Sequence, residues 1–152
     1  MSEPSILHSR SVRHALPLLH PAQAQKEFTV NEALARLDMV AQASVIATAA
    51  APPAEPAAGD SYIVSAGATD AFEGREDTIA AWQGDQWLFQ APMQGMRAYR
   101  QDIGATVLYR DRWEEPLSVP PLEGGEVVDA EARTMIAALR EVLLTAGVIS
   151  AA

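Results

Sequence analysis

PAQAQKEFTVNEALARLDMVAQASV, residues 21–45, is the stretch from which the rest of the chain is read. Within it, Thr29-Val30-Asn31-Glu32 has the form of a capping box. The Thr29 hydroxyl can accept the Glu32 amide, and the Glu32 carboxylate can reach back to the Thr29 amide. Good helix formers follow, and Ala33, Leu34, Leu37, Val40 and Ala41 recur at steps that line one helical face. Glu32 and Arg36 form an i,i+4 pair in the favoured order. The pattern predicts a helix of about three turns whose apolar face packs on the sheet that follows.

Downstream, the pattern turns to β. Residues 44–48, SVIAT, form a β-branched run that fits a strand. Pro52, Pro53 and Pro56 in AAAPPAEPAA forbid helix or central strand and predict an extended, polyproline-like loop. Gly59-Asp60 then turns the chain into residues 61–65, SYIVS, which alternate polar and apolar. Residues 66–77 read as loop, with Gly67 and Gly74 as breakers. The clearest hairpin is residues 78–82 and 87–90 around Gln83-Gly84-Asp85-Gln86. A type II′ turn at Gly84-Asp85 sets Gln83 opposite Gln86 and Trp82 opposite Trp87, with both indoles on one face. Pro92 ends that strand, and residues 96–100 and 106–113 form a second antiparallel pair across residues 101–104. The predicted class is α+β: a small antiparallel β meander of about five strands, an N-terminal helix packed on it and a separate C-terminal helix.

The ends of the chain differ from its middle. Residues 1–20 make a slightly basic arm, with Arg10 and Arg13 among His8, His14 and His20. It reads as a loosely docked terminus or as an arm added to a partner subunit. Residues 21–113 hold the α+β domain. Residues 114–128 are a linker broken by Pro116, Pro120, Pro121, Gly124 and Gly125. Residues 129–152 carry the last helix, with Asp129 as N-cap, Glu131 in the first turn and Gly147 as the stop. Ala132, Met135, Leu139, Val142 and Ala146 step by three and four, and Ile136 and Leu143 broaden the stripe. Two heptads are too few for a lone coiled coil, so this helix packs on its own domain or on copies of itself. Met135, Ile136, Leu139, Val142 and Leu143 are the predicted oligomer or partner interface.

At 152 residues the chain is one domain in size, with 49 % apolar and 20 % charged residues. Its net charge of −9 argues against a general nucleic-acid binder and against an anionic membrane. With no cysteine there is no disulfide framework and no thiolate metal site. No apolar run reaches the length of a membrane span. Ala22-Gln23-Ala24 mimics a signal-peptide cleavage site, but residues 15–19, ALPLL, are too short an apolar region and contain a proline. A part that works outside the cell then leaves by lysis.

No nucleophile motif, phosphate-binding glycine loop or zinc signature is present, and no enzymatic activity, cofactor or metal is expected. The three histidines do not have ligand spacing. Glu73, Glu76 and Asp77 read as a solvated acidic loop rather than an acid/base pair. The aromatic residues Trp82, Trp87, Tyr99, Tyr109 and Trp113 fall on β segments. Their first reading is core or subunit interface. Their second is a glycan platform of Trp82 and Trp87 with Gln83, Gln86 and Arg97 as polar partners.

Ala24-Gln25-Lys26-Glu27, Asn31-Glu32-Ala33-Leu34 and Leu37-Asp38 resemble the opening signature of an uncharacterised domain family. That family occurs in alphaproteobacterial prophages and in gene transfer agents, the phage-like particles some of these bacteria make. The likeness continues through Pro52-Pro53, Gly59 to Val64, Ile79 to Trp82, Trp87, Pro92 and Gly95-Met96-Arg97, and so spans residues 18–113. The resemblance implies a structural virion component assembled in the cytoplasm and released by lysis. A short chain with an arm and a helical tail suits a head-spike base attached to the capsid. It would carry a fibre that binds host capsular polysaccharide. The implied partners are capsid proteins, a spike or fibre protein, and copies of the chain itself as a trimer or pentamer. A tail-fibre adaptor and a small glycan-binding module are the alternatives.

Overall fold

The computed structural model describes residues 10–19, 26–120 and 129–149. Most of the expected arm (residues 1–9 and 20), the start of the signature (residues 21–25), the centre of the linker (residues 121–128) and residues 150–152 lie outside them. The chain divides into two units, Met1–Ala43 with Thr48–Ala91, and Ser44–Ala47 with Pro92–Ala152. In chain order the elements are α1 (Lys26–Val40), β1 (Ser44–Val45), β2 (Ala47–Ala49), β3 (Ser61–Val64), β4 (Ile79–Trp82), β5 (Trp87–Gln90), β6 (Arg97–Arg100), β7 (Ala105–Tyr109), β8 (Trp113–Glu114) and α2 (Ala130–Thr145). The class is α+β, as the sequence implies. The strands, however, form two four-stranded sheets, β2-β3-β4-β5 and β1-β6-β7-β8, in place of one meander. The run at residues 44–48 is the cause. It breaks at Ile46, and its two short strands enter different sheets.

In the first unit, β3 and β4 pair antiparallel with Ile63 opposite Ile79, and β4 and β5 pair with Trp82 opposite Trp87. Side chains alternate across the sheet. Ile63, Ile79 and Ala81 therefore share one face, and Val64, Ala80 and Phe89 the other. The second face closes over Phe72, which ends a short 3-10 turn and is fully buried with Val64 and Ala80. Helix α1 lies against β5, and the Arg36 guanidinium donates to the Phe89 carbonyl at 2.9 Å.

Helix α1 differs from its sequence reading in two respects. It is already helical at Lys26, so Thr29 lies inside it and no capping box forms. Glu32 instead pairs with Arg36 at 2.8 Å, and Asn31 clamps the Leu19 backbone, accepting its amide at 2.7 Å and donating to its carbonyl at 2.9 Å. The buried face is also rotated. Leu37 is 52 % exposed, whereas Glu27, Asp38 and Met39 are buried.

The rotation follows from what docks there. Asp38, 2 % exposed, accepts from the Ser11 hydroxyl at 2.7 Å, the Arg13 amide at 2.8 Å and the His14 amide at 2.7 Å. The His14 ring Nδ1 lies 3.0 Å from the same carboxylate. Arg13 then covers carbonyls at the C-terminal end of α1, donating to Met39 at 2.8 Å and Gln42 at 2.9 Å. Residues 10–19 are thus folded onto α1 and not loosely docked.

In the second unit, β1 runs parallel to β6, with Ser44 opposite Tyr99, while β6, β7 and β8 are antiparallel. Arg100 is buried and is held by ion pairs to Asp102 and Glu115. Asp129 caps α2 as expected, accepting the Ala132 amide at 2.8 Å. At the other end Gly147, with φ +66°, donates to Leu144 and Val148 donates to Leu143, which is a Schellman motif. The Gly147 carbonyl accepts the Thr106 amide of β7 at 2.9 Å, and Ile149 is buried. The helix expected to be separate is therefore anchored at its C-terminal end.

Burial pushes the Asp38 carboxyl up, but the hydrogen bonds from Ser11, Arg13 and His14 outweigh it and hold the group below its ordinary value of 3.8. A lowered folded-state pKa means that this stabilisation is complete above the unfolded value and is lost as pH falls through the folded one. Asp38→Ala should cost about 3 kcal/mol, because it strands buried donors. Urea unfolding of the variant at neutral pH checks the size. The difference from wild type should shrink as the pH is taken below 3.8.

Candidate functional site

The β4–β5 hairpin takes its shape from local chemistry. Gly84 sits at φ +104°, which a first-position glycine of a II′ turn supplies, and the Gln83 amide donates to the Gln86 carbonyl at 2.9 Å. The two indoles meet as the register demands, with centroids 5.3 Å apart. Trp87 is not a free ring. It packs edge-on against Phe72 at 5.0 Å and against Tyr62 at 6.2 Å, at the margin of the buried cluster. Arg75 lies over Phe89 on the same face, 5.1 Å from the ring.

Two of the expected polar partners lie toward α1. Gln83 and Gln86 line a groove of about 610 Å³ together with Phe28, Asn31 and Glu32 of α1 and Leu88 of β5. Leu88 lies on the sheet face opposite the indoles, by the alternation described above. Arg97 belongs to β6 of the other unit. The five residues of the glycan platform are thus spread over two sheet faces and two units, with only Trp82 and Trp87 in ring contact.

Helix α2 presents a run of exposed apolar side chains. Met135 is 72 %, Ile136 47 %, Leu139 58 % and Val142 62 % exposed, and no residue of the helix is buried. Leu143 is half-buried, toward the anchored end. The expected interface residues therefore share one helix, and four of the five face solvent.

Ser11, His14 and Asp38 meet, but not as a catalytic triad. A nucleophilic serine must bond the imidazole, with the carboxylate behind it. Here the Ser11 hydroxyl donates to Asp38 and accepts the Leu16 amide at 3.0 Å. The cluster is a structural clamp. Glu73 and Glu76 are exposed on the loop after Phe72. Among the described residues no three His, Cys, Asp or Glu side chains gather as a metal site. No helix there is long and apolar enough to cross a membrane.

The sequence reading missed Asp38, Arg13 and the clamp role of Asn31. An Asp between Leu37 and Met39 on a packed helix is a usable signal, but its partners lie more than twenty residues upstream. Residues 30–114 match the model of the family described as "Protein of unknown function (DUF2793)", and the chain belongs to that family. No curated protein and no solved structure matches the chain.

The two indoles should separate on substitution. Trp87→Ala removes a ring packed on Phe72 and should cost about 3 kcal/mol, whereas Trp82→Ala should cost about 1 kcal/mol. Chemical denaturation of the two variants measures the difference.

Proposed function

We propose that this member of the DUF2793 family is a structural virion component of a phage-like particle. In this reading it is the head-spike base: it attaches to the capsid and carries a fibre that engages host capsular polysaccharide. The observation that carries the reading is the solvent-facing stripe of α2. A helix whose apolar side chains are exposed, yet which is capped at both ends and anchored at its C-terminal end, is arranged for copies of itself or a neighbour to cover it. Three or five copies around an axis would bury Met135, Leu139 and Val142 against one another. The resemblance of residues 18–113 to a family of prophages and gene transfer agents suggests the particle context. The tail-fibre adaptor is the close variant, since it uses the same stripe at a different place on the particle.

Light scattering on the purified chain tests the stripe. The wild type should run at three or five times 16.3 kDa. Leu139→Glu with Val142→Glu should return it to one chain, with the β signal in circular dichroism unchanged. Particles produced without the protein should take up the wild type and refuse the double variant. A wild type that is a single chain at all concentrations and does not associate with such particles would contradict the proposal.

A further inference from the structure

We infer that a notch at the edge of the second unit's sheet binds an acidic, partly apolar peptide segment of a partner protein. The notch has a structural origin. Strand β8 pairs with β7 only at Leu108 and Tyr109. Beyond that, the β7 edge is taken by the Gly147 carbonyl, which accepts the Thr106 amide. Between β8 with its following residues and the end of α2 a space of about 730 Å³ is left. The strand registers set Arg97, Leu108 and Glu114 side by side across three strands, with Arg110 just past the end of β7.

Three of the chain's arginines, Arg97, Arg110 and Arg112, line this one space, in a protein of net charge −9. Two carboxylates line it as well, but both are engaged: Glu114 by Arg110 and Glu115 by the buried Arg100. Among the described residues, Arg97 and Arg112 have no ion pair. Among the described residues the lining thus holds three guanidiniums to two carboxylates, and a cleft concentrates the field of such an excess. The rest of the wall is apolar. Leu117, 83 % exposed, and Val148 stand at the rim, with Pro116 and Trp113 beside them.

The mixture decides the ligand. A solvated pair between one guanidinium and one carboxylate is worth only about 0–1 kcal/mol, so a small free anion is not retained here. An extended segment can lay two carboxylates on Arg97 and Arg112, each with bidentate geometry. The same segment can cover Leu117 and Val148 with apolar side chains. An acidic polysaccharide offers the carboxylates and can stack on Trp113, but it brings no side chain for Leu117 and Val148. A peptide with alternating Glu and Leu matches both parts of the wall.

Fluorescence anisotropy of a labelled Glu-Leu-Glu-Leu-Glu-Leu peptide, titrated with the full chain at low salt, tests the inference apart from any assembly through α2. The peptide should bind saturably and weaken as salt is raised. Arg97→Gln with Arg112→Gln should weaken it at least about tenfold, and Leu117→Ser about threefold, with the melting temperature unchanged in each. A Lys-Leu peptide of the same length should not bind. Absence of binding by the acidic peptide, or binding indifferent to the two arginines, overturns the inference. Polygalacturonate that competes more strongly than the peptide and depends on the same arginines also overturns it, and makes the notch a glycan site.

Discussion

Helix α2 has 16 residues and buries none of them. A helix of that length is marginal in water on propensity alone and normally owes its stability to a packed face. Here both ends are closed, and within the helix Arg140 donates to the Val119 carbonyl. Asp129 closes the first turn, a Schellman motif closes the last, and Gly147 hands its carbonyl to β7. The apolar stripe between these anchors is held in one orientation and left uncovered. Its need for a cover is the constraint from which the functional reading follows. Met135, Leu139 and Val142 stand in water, and the proposed assembly is what would cover them.

The first unit solves its own packing by the opposite means. Its helix buries a carboxylate in place of leucine. Asp38 gathers one hydroxyl and two amides from residues 11–14, and Arg13 closes the end of the helix it docks on. Hydrogen bonds are directional, so they fix the register of the upstream segment in a way that apolar contact alone does not. The result is that residues 10–19, the described part of the expected arm, are spent on the protein's own helix.

What could be read from the sequence was local. The hairpin follows from Gly84-Asp85 and the indole pair, which lie within a few residues of one another, and the structure gives the same register. The limits of α2 follow from Asp129 and Gly147 for the same reason. Features set by distant partners were not legible. The run at residues 44–48 looks like one strand, and only its parallel pairing with β6, more than fifty residues on, shows that it serves two sheets. The capping-box wording at Thr29 was outweighed by good helix formers upstream of it, and the buried side of α1 was set by Ser11, Arg13 and His14. The candidate sites divide in the same way. The α2 stripe is periodic and was visible. The notch depends on β6, β7 and β8 coming into register, which brings Arg97 beside residues 108–114.

The proposed role requires that α2 be covered when the protein is in use. Amide hydrogen exchange across Met135–Val142, followed as protein concentration is raised, reads this directly. The expected result is near-coil exchange when the chain is dilute and strong protection once it associates, with the two sheets protected throughout. Strong protection of these amides in a chain that stays single at every concentration would contradict it.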